Sequence, residues 1–351
     1  MAKRSQASED WSRSLAFPGI VASCRIRLAR NLRGECFPDH ASPQDRERLR
    51  DLVCQKLQEV KPLKDCTMIP IESASQQALQ ELREAHLIST ELTERGSGGA
   101  LLLNPDRSLS LMINEEDHLR IQVLRKDANL RAAWRVADKM DVAIEEQVDV
   151  AFHPSYGYLT ACPSNVGTGL RVSVMLHLLG LRLTDEIDAV FKALDRLGIV
   201  VRGIWGEGSE AAGHLYQLSN QQTLGETEEE IIDRLSDVAE ETARQEQNAR
   251  MRLIEDKPEL MMDCLARALA ILRNARILHS DETLDFLCAL RMGADAGLVL
   301  GIEPEIFDYW STAILPGHMQ TLAKGVLEPE ARDRIRAELM RRAMESVRLA
   351  D

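Results

Sequence analysis

Between Gly99 and Arg125 apolar residues return at every second position: Leu101 and Leu103, then Leu109, Leu111 and Ile113, then Leu119, Ile121 and Val123. A period of two belongs to a pleated strand with a buried face, and no helix reproduces it. Asn104-Pro105-Asp106 interrupts the run with turn residues. The segment therefore predicts a hairpin followed by a third strand, and strands joined by such short turns are antiparallel. A sheet of this kind must be covered on its apolar side, and the rest of the chain supplies helices to do it.

Ser42-Pro43 predicts a helix start, with Leu49, Leu52, Val53, Leu57 and Val60 on one face of a helix reaching about Val60. Further helices are expected over about Asn129 to Gln147 and over Asp185 to Leu197, the latter with Ile187, Val190, Phe191 and Leu194 inward. Strands are expected at 156–161 and 170–178, as a pair, and at Ile199–Trp205 and His214–Leu218. After Gly225 the character changes. Glu226 to about Glu255 reads as one long charged helix halted at Lys257-Pro258, and the remainder to Asp351 is helical in pattern. A chain of 351 residues has room for two cores. The expectation is an α+β domain over 1–250, a mainly antiparallel sheet flanked by helices behind a ragged polar start, and an all-helical C-terminal domain over 251–351.

Charge and cysteine usage narrow the function. A net charge of −13 with no long basic run argues against a nucleic-acid partner. The seven cysteines are scattered, odd in number and without CxxC pairing, so neither a zinc site nor a disulfide framework is expected. The start, Met1 to Trp11, is polar, and no apolar stretch approaches a membrane span. A cytoplasmic protein with no membrane partner is the expectation.

Four short segments carry chemistry. In Ser23-Cys24-Arg25-Ile26-Arg27 strand alternation puts Arg25 and Arg27 on one face, as a phosphate clamp or as a solvated basic face. In Asn114-Glu115-Glu116-Asp117-His118-Leu119-Arg120 three adjacent carboxylates repel one another and call for a cation, unless the loop is simply wet. In Cys162-Pro163-Ser164-Asn165-Val166-Gly167-Thr168-Gly169-Leu170-Arg171 the glycines permit close backbone approach to a phosphate, without the spacing of a Walker loop. The thiol there is either a reactive thiolate near cations or a small buried hydrophobe. Arg202-Gly203-Ile204-Trp205-Gly206-Glu207-Gly208-Ser209-Glu210-Ala211 contains G-x-G-x-x-A. A dinucleotide fingerprint needs a helix at those glycines, whereas His214-Leu215-Tyr216-Gln217-Leu218 alternates like a strand.

Taken in order, SCRIRLAR, NEEDHLR, CPSNVGTGLR and RGIWGEGSEA resemble the phosphagen (guanidino) kinase family over about residues 20–225. YGYLTACPSNVGTGLRVSVMLHL and GEGSEAAGHLYQLSNQQTLG resemble its branch acting on arginine in proteins. Two features favour that branch: about twenty residues precede the SxRxR strand, where metabolite kinases carry a helical domain, and Arg332-Asp333-Arg334-Ile335-Arg336-Ala337 matches an RDxxRA motif.

The resemblance implies ATP as co-substrate, with Mg2+ carried by the nucleotide and no separate metal site. It places the nucleotide on Ser23, Cys24, Arg25, Ile26 and Arg27, on His86, on Arg120, on Arg171, Val172, Ser173, Val174 and Met175, and on Arg202, Gly203, Ile204, Trp205, Gly206 and Glu207. It makes Glu116 and Glu207 the carboxylates that hold and deprotonate the acceptor guanidinium, with Cys162 tuning that site and Glu115 and Asp117 supporting the loop. Arg332, Asp333, Arg336 and Ala337 become an allosteric phosphoarginine pocket. Cys24 departs from the family's usual serine, which weakens nucleotide affinity if a hydroxyl is needed there. Further implications are protein substrates with exposed arginines, autophosphorylation, a homodimer or higher oligomer, a zinc-binding activator protein, and a Clp unfoldase or protease that reads phosphoarginine as a degradation mark in the stress response. A kinase of a free guanidino metabolite and a non-catalytic phosphoarginine-binding adaptor are the alternatives.

Overall fold

The computed structural model describes residues 17–57, 60–61, 63–203 and 212–350. In chain order the elements are β1 (Val21–Arg30), α1 (Pro43–Leu57), β2 (Thr67–Pro70), α2 (Gln76–Glu84), α3 (Thr90–Arg95), β3 (Ala100–Leu103), β4 (Leu109–Ile113), β5 (Leu119–Arg125) and α4 (Leu130–Glu145). There follow β6 (Phe152–His153), β7 (Gly157–Tyr158), β8 (Leu170–His177), α5 (Leu179–Leu183), α6 (Ile187–Arg196), β9 (Ile199–Gly203) and β10 (Leu215–Asn220). The helical half comprises α7 (Glu228–Asp256), α8 (Pro258–Asn274), α9 (Ser280–Asp295), β11 (Val299–Leu300), α10 (Pro304–Ala313), α11 (Pro316–Leu322), α12 (Pro329–Ala343) and β12 (Arg348–Leu349).

The main sheet runs β2-β3-β4-β5-β1-β8-β10-β9, and every neighbouring pair is antiparallel. Strand β1 lies at its centre because its alternation is clean: Cys24, Ile26 and Leu28 point into the core while Arg25 and Arg27 point the other way. Leu119, Ile121 and Val123 of β5 and Leu170, Val172, Val174 and Leu176 of β8 join the same core, closed by α4 and α7. The opposite face of these strands is polar, and the site is built there.

The hairpin expected around Asn104 is β3–β4, with β5 as the third strand. Its strands are buried on both faces because α1 covers one side and α2 and α3 the other, where Leu101, Leu103 and Met112 pack on Leu79, Leu82 and Leu92. At 156–161 the structure differs from expectation. Only Gly157–Tyr158 pairs, with Phe152–His153, and β8 pairs instead with β1 and β10. Helix α1 is described to Leu57, residues 58–59 lie outside the described residues, and Val60 is in the core.

Helix α7 starts on a capping box in which Thr227 and Glu230 satisfy each other's backbone, and it runs unbroken through position 250 to Asp256. A second core lies beyond it, formed by Leu265, Leu269 and Leu272 of α8, Leu284, Leu287 and Leu290 of α9, Phe307, Ala337 and Met340. Leu179 and Ala212 from the sheet half also enter this core, so the two halves share a packed seam. Among the described residues no helix is long and apolar enough to cross a membrane.

Candidate active site

Register decides which arginines meet. Arg27 on β1 stands directly opposite Arg171 on β8 and Gln122 on β5, and Arg25 stands opposite Ser173. Arg120 lies opposite Ala29, two residues on from Arg27, and so shares the same face. Arg202 on β9 faces Gln217 on β10, whose Oε1 accepts a 2.6 Å hydrogen bond from Arg25 Nη2. Arg171 Nη2 donates to Ser219 Oγ at 3.3 Å.

Like charges directly opposed across strands destabilise a sheet. The cost shows in the protonation equilibria: burial and then Arg120 and Arg171 push the Arg25 guanidinium down to about 10. Burial, then Arg25, Arg120 and Arg171, push Arg27 well below its ordinary value. Arg120 goes up despite burial, because Glu115 and Glu116 lie beside it and Glu115 bonds it directly. Among the described residues Arg27 Nε has no hydrogen-bond partner. A buried donor inside a repelling cation cluster fits a polyanion, which would satisfy the donor and neutralise the charge at once. Arg25, Arg27 and Arg202 line one wall of a cavity of about 540 Å3.

The third arginine of the β1 motif does something else. Arg30 is 1% exposed and pairs with Asp141 through two bonds, 2.9 and 2.7 Å. It also donates to Thr168 O at 2.9 Å and lies over the Tyr158 ring, so it holds the 157–169 loop against the sheet.

His86 sits in the turn after α2 at φ +58°, in the left-handed region that histidine, like asparagine and aspartate, tolerates better than most residues. Its backbone N–H donates to Arg83 O at 2.9 Å, and its carbonyl accepts from Gln122 Nε2 at 2.9 Å. Burial, then Arg25 and Arg27, push the imidazole down to about 4, so it is neutral at pH 7. His86 borders the arginine cavity, a second cavity of about 410 Å3, and a narrow neck of about 20 Å3 lined also by Ser23, Leu124, Ser173, Met175 and Gln217.

Of the three adjacent carboxylates, two are consumed by structure. Glu115 is fully buried, bonded to Arg120 and accepting from Glu116 N–H at 3.0 Å. Asp117 Oδ1 accepts from Asn31 Nδ2 at 2.6 Å and from Ala161 N–H at 2.7 Å. Glu116 is left partly open, and burial and then the Glu115 charge raise its pKa. The Asp117–Ala161 bond joins this loop to the segment carrying Cys162, whose Sγ lies 3.0 Å from Ser164 Oγ. His118 is locked too, accepting from Leu32 N–H at 3.1 Å and meeting Cys36 O at 2.8 Å.

The structure thus brings together Ser23, Arg25, Arg27, His86, Arg120, Arg171, Ser173, Met175, Arg202 and Gly203, with Glu116 at the end of Arg120's strand. The side chains of Cys24, Ile26, Val172 and Val174 face the core instead. Cys24 is 1% exposed and burial pushes its thiol up to about 12, so it does not occupy the place of a phosphate-binding hydroxyl. Ile204, Trp205, Gly206 and Glu207 lie outside the described residues. The loop glycines approach backbone: a Cβ on Gly167 would lie 2.1 Å from Thr223 O, and one on Gly169 2.7 Å from Ala29 O. Gln122, Gln217 and Ser219 escaped the sequence reading, although each occupies the polar parity of its strand.

Arg332, Asp333, Arg336 and Ala337 lie on α12, in the helical half. Arg336 is 1% exposed and donates to Ile314 O at 2.8 Å, Leu278 O at 2.7 Å and Asp333 at 2.5 Å. Asp333 also meets His279 Nδ1 at 2.7 Å, and Arg332 Nη1 donates to Leu327 O at 2.7 Å. Ala337 is buried in the second core.

Residues 48–249 match the family profile described as ATP:guanido phosphotransferase, C-terminal catalytic domain, and residues 258–351 match that of the Protein-arginine kinase McsB C-terminal domain. The protein-arginine kinase of Bacillus pumilus is 43% identical over 92% of this chain and 89% of its own length. That of Brevibacillus brevis is 39% identical over 99% of both chains. Among solved structures, the duplicated taurocyamine kinase from Schistosoma mansoni, with bound transition state analog components, aligns at TM-score 0.60 and 24% identity over 68% of this chain and 35% of its own, a likeness of fold. A lombricine kinase aligns at TM-score 0.58 and 26% identity over 70% and 72%.

Proposed function

The chain belongs to the ATP:guanido phosphotransferase family, on its protein-arginine kinase branch, and from that premise we propose that it transfers the γ-phosphoryl group of ATP to arginine side chains of other proteins. The observation that carries the reading is the arginine face itself, a desolvated cation cluster ending at one half-open carboxylate. Bound as its magnesium complex, ATP supplies the phosphoryl group. Among the described residues no cluster of His, Cys, Asp or Glu is placed to hold a metal.

Phosphoryl transfer needs positioning and charge neutralisation more than covalent chemistry from the protein. Arg25, Arg27, Arg120, Arg171 and Arg202 hold the triphosphate, each able to donate a forked pair of hydrogen bonds. Neutral His86 borders the nucleoside end. The acceptor guanidinium is protonated in water and must lose a proton as its nitrogen attacks. Glu116, raised by burial and by Glu115, is a stronger base than an exposed glutamate and accepts that proton while fixing the guanidinium plane. Glu207 provides the second carboxylate, and Cys162 borders the acceptor.

The wider reading rests on the resemblance. The chain works in the cytoplasm as a homodimer or larger assembly, is switched through the α12 motif and a zinc-binding activator, and marks proteins for Clp-type proteolysis under stress. In that reading the 1–250 and 251–351 segments divide catalysis from regulation.

The test incubates the protein with magnesium-ATP and either an unfolded protein or free arginine, scoring phosphoarginine by mass spectrometry under conditions that preserve the P–N bond. Label on the protein, reduced about a hundredfold or more in Glu116→Gln, is expected from the loss of a general base. Label on free arginine alone would make it a metabolite kinase. Label undiminished in Glu116→Gln would remove the assigned role.

A further inference from the structure

Two cavities flank His86, and one carboxylate stands in the wall of both. Glu84, the last residue of α2, lies two residues before His86 and is 7% exposed. Its Oε1 accepts from Gly317 N–H at 2.7 Å and from Gln80 Nε2 at 3.0 Å. Its Oε2 accepts from His318 N–H at 3.2 Å and from His318 Nδ1 at 2.8 Å. Three of these four donors belong to the first turn of α11, in the helical half. A buried carboxylate is tolerated only when hydrogen bonds of this number replace its water.

The junction is too tight for slack. A Cβ on Gly317 would lie 2.9 Å from Glu84 Oε2 and 3.1 Å from Glu81 N, so any side chain there forces the Glu84 carboxylate or the helices to shift. Leu315, immediately before α11, lines both cavities, and Pro316 lines the larger. The preceding residue is anchored from the other side, where Arg336 Nε donates to Ile314 O at 2.8 Å. Leu284, Leu287 and Phe307 of the helical half complete the far wall of the smaller cavity.

We infer that Glu84 is a positioning residue for the nucleotide: it pins α11 to the end of α2, so that His86 from one half and Leu315 from the other form facing walls of one site. This rests on the reading that ATP occupies the cavities around His86. Glu84 itself spends its oxygens on α11 and acts through these neighbours. Releasing α11 moves Leu315 away from His86, opens both cavities and weakens the nucleotide without touching the carboxylate that serves the acceptor.

The experiment is calorimetric titration of the full chain with magnesium-ATP, for the wild type and for Glu84→Gln, Glu84→Ala and Gly317→Ala. Gly317→Ala keeps Glu84 in the sequence and crowds the junction from the α11 side. Glu84→Ala and Gly317→Ala are expected to bind ATP about tenfold more weakly, equivalent to about 1.4 kcal/mol, with Glu84→Gln between them and the wild type. In turnover assays KM for ATP rises in parallel, while kcat at saturating ATP and KM for the protein substrate hold within about twofold; a clasp that only stabilised the fold would leave KM for ATP unchanged. Wild-type affinity in folded Glu84→Ala overturns the inference, and if that variant does not fold, wild-type affinity in Gly317→Ala overturns it. Absence of ATP binding by the wild type defeats the parent reading instead.

Discussion

An arginine is defined here by what its guanidinium meets. Arg30, Arg120 and Arg336 are each closed by a carboxylate, and Arg30 and Arg336 also by backbone carbonyls, whereas Arg25 and Arg27 face mainly other cations. Holding such a cluster without its ligand costs stability. Replacing one of these cations by an apolar side chain of similar length removes both its desolvation cost and its repulsion with the others. Arg27→Met is therefore expected to unfold at the same or higher temperature than the wild type without nucleotide, and to lose the stabilisation that ATP confers. Differential scanning fluorimetry with and without magnesium-ATP reads both, and a fall in the nucleotide-free midpoint would contradict the repulsion argument. His86 gives the matching pH prediction. Between pH 6.5 and about 4 the unfolded chain carries that proton and the folded chain does not, so stability falls as pH drops through this window. Each unit there costs up to about 1.4 kcal/mol from this group. In His86→Asn, which keeps a side chain tolerant of positive φ, urea unfolding should depend correspondingly less on pH between 6.5 and 4.

Elements were legible where one face was apolar and the other polar. The alternation of β1 set Arg25 and Arg27 on one face, and that of β3 to β5 marked an apolar face, because a strand offers its side chains no third direction. The family pattern singles out Glu116 from Glu115 and Asp117, and the hydrogen bonds show that the latter two are engaged by their surroundings. Three things stayed hidden. Segment 156–161 reads as a strand, yet its backbone pairs locally with 151–153 and through Tyr158 with Gly167. Arg30 cannot be told from Arg27 by composition, since the difference is Asp141, over a hundred residues away. The glycines of the Cys162 loop announce a close approach without saying to what. That approach is to Thr223 in the segment after β10, for Thr168 N–H donates to Thr223 O at 2.9 Å, and Thr223 Oγ1 donates to Val166 O at 2.7 Å and Ser164 O at 2.8 Å. Gly167 is at φ +117°, and a Cβ there would collide with Thr223 O. Gly167→Ala is expected to cost about 2 kcal/mol or more through strain and lost hydrogen bonds, and to lower kcat because Cys162 moves with the loop. Chemical denaturation and turnover at saturating ATP measure the two; an unaltered kcat would detach Cys162 from the reaction.

On the scale of the whole molecule, the proposed nucleotide site and the seam between the halves coincide. The 410 Å3 cavity takes its walls from β1, β8 and the α2 turn on one side and from α9, α10 and Leu315 on the other. Leu179 and Ala212 carry the sheet half into the helical core, and α7 passes between the two without a break. A ligand filling this space binds only when both halves are folded and docked, so it should stabilise both. At a concentration of one hundred times its dissociation constant a ligand adds about 2.7 kcal/mol. For a chain of 351 residues the unfolding entropy is roughly 0.7 kcal/mol per kelvin, so the expected rise is about 4 °C. Scanning calorimetry with saturating magnesium-ATP should show that shift in a single transition. If instead the protein melts in two steps and only one moves, the nucleotide is held by the sheet half alone, and the helical half only abuts it. The shift should also shrink as salt rises, because the site recognises its ligand chiefly through charge while the remaining surface of this −13 chain repels it. A salt-independent shift would instead place most of the affinity in the apolar nucleoside cavity.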